Sequence, residues 1–261
     1  MFVNIKKKLI LLLILLTIAI IFGLNITTTQ KIGINYKVFE YQIPLYLKLY
    51  NFYGRHINYK FQVNQIVENT NSNNDLDKLL AITKWLRNNV QKIPSGVDVI
   101  DSHPFTIIER RLGVQDNFAD ALSVLLVYGG IDSFLWYQIK NKAITFFKIN
   151  NSWSVIDPYY GVIFLNNNGK VATISEIHKK DWKITTLDLK PVDENSFISI
   201  FGNDFSNIKQ AQEYYQEQFL LLPTQEIIDS KDNYALGGRA YIQSPFGRIK
   251  YEVNRFIKIT N

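Results

Sequence analysis

The chain has 261 residues, with 29 Lys and Arg against 23 Asp and Glu, three His and no Cys. With 47% hydrophobic and 20% charged residues, and 13 Gly and 7 Pro, a disordered tail, a collagen-like chain and a low-complexity protein are excluded. The missing Cys excludes a disulfide framework, a thiolate zinc site, an iron–sulfur cluster and any thiol nucleophile, while leaving the compartment open.

Residues 9–24, LILLLILLTIAIIFGL, form an uncharged apolar run directly after Lys6, Lys7 and Lys8. Lengthened by Phe2 and Val3 or by Ile26, the run reaches the lower limit for a spanning helix, roughly 17 to 25 residues. A cleaved secretory signal has a similar outline, but no small-x-small pair closes the run and there is no lipoprotein cysteine. Residues 1–30 are therefore read as an uncleaved signal anchor. The positive-inside rule keeps the three lysines cytoplasmic and puts the chain from about residue 27 outside, as a single-pass cell-membrane protein. The first 30 residues hold three Lys and no acid, so the exported part carries 26 bases against 23 acids. That near balance argues against nucleic acid, which calls for a basic stripe.

Residues 31–74 are expected to form an aromatic-rich, membrane-proximal segment. Its Tyr, Phe and Lys suit amphipathic packing at a membrane interface better than a stacking platform for bases or sugars. Thr70–Asn74 is a polar break. Residues 75–90 place Leu76, Leu79, Leu80, Leu86 and Val90 at helical spacing, with Asn73 or Asn74 as N-cap and Asp75 and Asp77 in the first turn. Residues 93–104 read as a loop. The stretch DNFADALSVLLVYGG predicts a second helix, its apolar stripe running through Phe118, Leu122 and Leu126 and its left-handed stop at Gly129 and Gly130. Then the period changes. IDSFLWYQI, AITFFKI, SWSVID and GVIFL read as strands, Asn150 and Asn151 as a tight hairpin turn, and Thr173 with Glu176 as a capping box opening a short helix through His178. Helices followed by an antiparallel run of strands predict an α+β fold. Beyond about residue 185 the pattern weakens: residues 208–222 suit a helix and residues 238–253 a hairpin, and 185–261 is read as an extension of the same domain.

Three blocks in this order resemble the transglutaminase-like superfamily, which shares the papain-like cysteine protease fold. HPFTIIERRLGVQDNFADALSVLLVYGGIDS is similar to the family's nucleophile block, a Gly-x-Cys turn opening a helix. KAITFFKINNSWSVIDP is similar to its His and Asp block, and YYGVIFLNNNGKVATISEI to the continuation in bacterial members. The resemblance covers roughly residues 75–180 and implies a transglutaminase-like core over 75–184, its helices packed on an antiparallel sheet. Carried over residue by residue, the nucleophile position falls on Gln115, the base position on Lys142 and the acid on Asp157. An amide is no nucleophile for acyl transfer, and an ammionium with an ordinary pKa near 10.4 takes no proton near neutrality. Only the acid survives, so the thiol mechanism is lost.

The other polar candidates have plainer readings. Asp116 and Asp120 lie four apart on one helix face, a spacing open to acid–base work but also to helix-start complementarity. Ser123 lies inside the helix. His56, His103 and His178 fall outside the strand that should supply a base and read as surface residues. Lys142 and Asp157 are candidates for a salt bridge in place of the lost His–Asp pair, and Trp153 with Asp116 and Asp120 for the lining of the former cleft. No metal or cofactor is expected. Taken with the anchor, the lost triad points to a membrane-anchored extracytoplasmic pseudoenzyme; the resemblance implies that it binds or scaffolds an envelope protein, peptide or surface polysaccharide of a bacterium, and the charge balance argues against a nucleic-acid partner. Two alternatives stand beside it: a carboxylate-based hydrolase using Asp116, Asp120 and Asp157, and a structural subunit of a membrane complex that docks through the aromatic segment 36–62.

Overall fold

The computed structural model describes residues 2–34, 37–70, 74–94, 97, 103–137 and 143–229. The described residues fall into two compact units, one up to Ile57 and one from Asn58 onward.

The first unit opens with helix α1 (Phe2–Leu24). At 1.5 Å per residue the 19 residues Lys6–Leu24 measure about 28 Å, close to a hydrocarbon core of about 30 Å. Its window Lys6–Leu24 buries nothing within the protein, and among the described residues it is the one helix long and apolar enough to cross a membrane. A hairpin follows, β1 (Thr27–Ile34) pairing antiparallel with β2 (Lys37–Pro44) from Thr27 opposite Pro44. Helix α2 (Leu45–Asn69) begins at once, and the Leu45 amide donates to the Ile26 carbonyl at 2.8 Å. The described residues of the aromatic segment 31–74 are thus the later part of a hairpin and the whole of helix α2.

In the second unit α2 buries Tyr59, Val63 and Ile66, spaced for one helix face. Helix α3 (Asp75–Asn89) is capped by Asn74, whose Oδ1 accepts from the Asp77 amide at 2.8 Å, and buries Leu79, Ile82 and Leu86. A short strand β3 (Gln91–Lys92) leads toward helix α4 (Pro104–Arg110). His103 is not an idle surface residue, as the sequence suggested. It is half-buried, and its Nδ1 accepts from the Phe105 amide at 3.1 Å, capping α4 ahead of Pro104. Strand β4 (Leu112–Gly113) pairs parallel with β3 and delivers the chain into helix α5 (Gln115–Tyr128). This helix stops where expected, with Gly130 at φ +83° supplying the left-handed residue.

The sheet that follows is a five-stranded meander: β5 (Ser133–Tyr137), β6 (Ala143–Ile149), β7 (Ser152–Asp157), β8 (Val162–Leu165) and β9 (Lys183–Thr186), each antiparallel to the next. Asn150 and Asn151, both at positive φ, turn β6 into β7. Between β8 and β9 lies helix α6 (Ile174–His178), with the Thr173–Glu176 capping box in place. Three more helices complete the described chain: α7 (Glu194–Phe201), α8 (Ile208–Phe219) and α9 (Gln225–Asp229). The expected hairpin at 238–253 lies outside the described residues.

Both faces of the meander are covered. Phe147, Ile156 and Ile163 pack with α3 and α5 into one core. Ile144, Phe146, Val155, Val162 and Phe164 point the other way, into a second core closed by α7, α8 and α9. The strands therefore read as continuous apolar runs rather than alternating ones. Buried hydroxyls on the strands donate to backbone carbonyls of neighbouring elements: Ser133 Oγ to Phe146 at 2.6 Å, Thr145 Oγ1 to Ala119 of α5 at 3.0 Å and Thr185 Oγ1 to Ile163 at 2.7 Å.

Candidate functional site

The start of α5 and the end of β7 are the two places where the sequence puts chemistry. Arg110 ties down the turn before α5: its Nε donates to the Leu112 carbonyl at 2.9 Å and its Nη2 to Asn117 Oδ1 at 3.3 Å. Asn117 Oδ1 also accepts from the Val114 amide at 3.2 Å, doing for the helix start what the Val114 side chain cannot. Gln115, the first helical residue, sends Nε2 to Tyr214 Oη of α8 at 3.2 Å.

Asp157 ends β7 and is fully buried. Its Oδ1 accepts from the amides of Tyr159 at 2.9 Å and Tyr160 at 3.2 Å, and its Oδ2 accepts from Tyr215 Oη at 2.9 Å. Successive tyrosines of α8 thus hold Gln115 and Asp157. Burial pushes the Asp157 carboxyl above its ordinary pKa, against the opposing pull of Tyr215, the two amides and the Arg87 charge. Arg87 of α3 donates through Nη1 to the Tyr159 carbonyl, and its guanidinium lies where Gly161, at φ +70°, leaves room: a Cβ there would stand 2.9 Å from Arg87 Nε. Lys92 places its ammonium 4.2 Å from the centre of the Tyr159 ring and 4.6 Å from that of Tyr160. Burial first, and Arg87 second, hold its pKa below the usual lysine range. Tyr160 Oη donates to Asp204 Oδ2 at 3.1 Å. Tyr214 is pushed up to about 12, chiefly by burial.

The cluster therefore holds two cations, Arg87 and Lys92, and two acids, Asp157 and Asp204, laced together by four tyrosines. Chemically it is closed at its acid: a carboxyl whose two oxygens already accept three donors from the chain has little left to offer a substrate.

The remaining candidates are dispersed. Asp116 shares the first turn of α5 with Gln115, and burial raises its pKa against its neighbouring amides and Arg110. Its Oδ1 is buried with no hydrogen-bond partner. The groups that set Asp116 and those that set Asp157 are different ones. Asp120 lies one turn further along, its carbonyl accepting from the buried Ser123 Oγ at 2.8 Å. Trp153 sits four residues from Asp157 along β7, about 13 Å away. Its Nε1 donates to Asp229 Oδ1 at 3.1 Å and its amide to Gln225 Oε1 at 3.1 Å, so the ring serves the docking of α9. Lys142, and with it the salt bridge to Asp157, lies outside the described residues. His178 is exposed at the end of α6.

Sequence reasoning missed Arg87, Lys92, Asp204 and all four tyrosines. The tyrosines left a trace in the two Tyr-Tyr pairs at 159–160 and 214–215. The cations left none, because Arg87 and Lys92 read as an ordinary helix end.

Comparison with known proteins finds no matching family model, no matching curated protein and no matching solved structure.

Proposed function

We propose that the chain is a membrane-anchored, extracytoplasmic binding or scaffolding protein of the bacterial cell envelope, built on a transglutaminase-like domain that has lost its catalytic groups. The observation that carries this reading is the sealed acid: Asp157 has its carboxyl oxygens taken by Tyr159, Tyr160 and Tyr215, while an amide, Gln115, stands at the nucleophile's position and is itself held by Tyr214. The side-chain network maintains the shape of the former site and leaves recognition to other surfaces. The anchor is α1, with Lys6, Lys7 and Lys8 cytoplasmic by the positive-inside rule. Surface polysaccharide, peptide or an envelope protein is the partner class in keeping with the resemblance.

The test is turnover. Full-length protein in detergent or nanodiscs, offered amide, ester and glycosidic substrates, gives no rate above buffer, and Asp157→Asn and Asp116→Asn change nothing. A rate that Asp116→Asn or Asp157→Asn abolishes overturns the reading in favour of the carboxylate hydrolase. One observation favours that second reading, the partnerless and buried Asp116 Oδ1.

A further inference from the structure

The first three turns of α2 carry an apolar face that the described residues leave about half or more exposed. Tyr46, Tyr50, Tyr53 and Ile57 succeed one another at spacings of four, three and four, which puts them on one side of the helix. All four are exposed, Tyr50 by 73% and Tyr53 by 59%, and Leu49 flanks them at 47%. These are the residue types that sit poorly in water on a folded surface, and their exposure in a row asks for an occupant.

From this face we infer that the start of α2 lies in the headgroup layer of the membrane that α1 enters, as a second, interfacial contact with anionic lipid. This rests on the anchor reading of α1. Three observations select lipid. The first is continuity: Leu45, the first residue of α2, donates its amide to Ile26, two residues past the end of α1, and Lys48 Nζ donates to the Thr29 carbonyl at 2.9 Å. Where α1 leaves the hydrocarbon, α2 begins. The second is chemistry. Tyr is enriched where one end of a side chain is apolar and the other wet, and this face holds three of them. The third is charge. From Leu45 to Val67 the helix carries Lys48, Arg55 and Lys60 and no Asp or Glu, matching an anionic surface.

A second copy of the helix fits worse, although the four-three-four spacing resembles a coiled-coil seam. The next seam position falls on Lys60, and paired helices would set like charges together with no acid to offset them. The geometry also fixes how the helix must lie. Tyr46 to Ile57 spans about 17 Å along the axis, whereas the headgroup layer is roughly 5 to 8 Å deep on each side. Upright, the helix would leave half of its face in water; inclined along the surface, it covers all of it.

The cysteine-free chain makes the experiment direct. Full-length protein carrying a spin label at Tyr50→Cys or Tyr53→Cys is reconstituted into phosphatidylethanolamine vesicles containing phosphatidylglycerol. Leu15→Cys in α1 serves as the lipid reference and Lys170→Cys, in an exposed turn, as the aqueous one. The expected result is that both α2 labels collide with an aqueous nickel chelate severalfold less than the Lys170→Cys label and with oxygen less than the Leu15→Cys label. The protection weakens when phosphatidylcholine replaces the anionic lipid. Aqueous values at both α2 positions, with Leu15→Cys in lipid, overturn the inference and leave the anchor standing. Dipolar broadening that vanishes on dilution with unlabelled protein overturns it in favour of a second copy, and equal protection in both lipids overturns its charge component. A mature chain from which the Leu15→Cys label has been cleaved away overturns the anchor reading instead.

Discussion

Asp157 is the residue on which the proposed loss of catalysis turns, and two measurements probe it. Tyr215→Phe keeps the ring, which packs against Phe164 and Phe219, and removes only the hydroxyl donated to Oδ2. A buried carboxyl oxygen left without its donor costs about 1 to 3 kcal/mol, so the denaturation midpoint falls by that equivalent with the slope of the transition unchanged. A midpoint equal to wild type would show that the hydroxyl is not holding the acid. The second measurement is pH dependence. The Asp157 carboxyl has its ordinary pKa of 3.8 in the unfolded chain and a higher one when folded. Between those two values the folded state binds more protons than the unfolded one, so this group makes stability fall as pH rises from 3.8 through the folded pKa, and the loss is complete above it. Glu176 and Asp188 act in the opposite sense. The Thr173 amide lowers the first and Lys84 the second, so their stability is present above the unfolded pKa and lost as pH falls through the folded one. The difference between wild type and Asp157→Asn isolates the buried acid: Asp157→Asn gains on wild type as pH rises from about 4. A difference independent of pH would mean that the acid titrates alike in both states.

At the scale of the element, the features legible in the sequence were those set by local chemistry. Asn74 caps α3, Thr173 and Glu176 box in α6, and Gly130 ends α5, because each answers a backbone demand within a few residues. The β6–β7 turn is of the same kind. Asn150 and Asn151 sit at φ 51° and 62°, where a branched side chain is penalised by roughly 1 to 2 kcal/mol. Asn151→Val therefore lowers the unfolding free energy by about that amount while Asn151→Gly leaves it near wild type, both read from denaturant titrations. If the two substitutions cost the same, the turn is not what sets this hairpin. What the sequence did not disclose was decided at a distance. β9 is only four residues long, and α7 follows a stretch without a clear period; each is fixed by burying Trp182, Ile184, Phe197 and Phe201 against the far face of the sheet. The candidate site divides in the same way. Gln115 and Asp157 could be named from local strings, whereas the tyrosines that hold them arrive from α8, 99 and 58 residues away along the chain.

For the molecule as a whole, the open matter is whether the helices beyond residue 185 form a cap of their own or belong to the fold that contains the sheet. The two cores answer this physically. One lies under α3 and α5, the other under α7, α8 and α9, and the partition between them is a single five-stranded layer in which β6, β7 and β8 send side chains into both. Phe147 and Phe146 are neighbours on one strand and stand in opposite cores. Stripping the α7–α9 layer from the sheet would expose Phe164, which packs edge-on against Trp182, Tyr215 and Phe219, and would release the Tyr215 hydroxyl from Asp157. Neither layer can therefore melt without undoing the other's strands, and the larger unit should unfold in one transition. Trp85 is packed against the first core and Trp182 is buried in the second, so each can report on its own side. With Trp136→Phe and Trp153→Phe as background, chains keeping only Trp85 or only Trp182 are expected to show coincident fluorescence midpoints in urea. Phe164→Ala, costing about 3 to 5 kcal/mol, is expected to shift both midpoints together. A Trp182 transition that precedes the Trp85 transition, or a Phe164→Ala shift confined to Trp182, would show that the C-terminal helices are a separable cap and that the sealing of Asp157 by Tyr215 can open while the α3–α5 core stays folded.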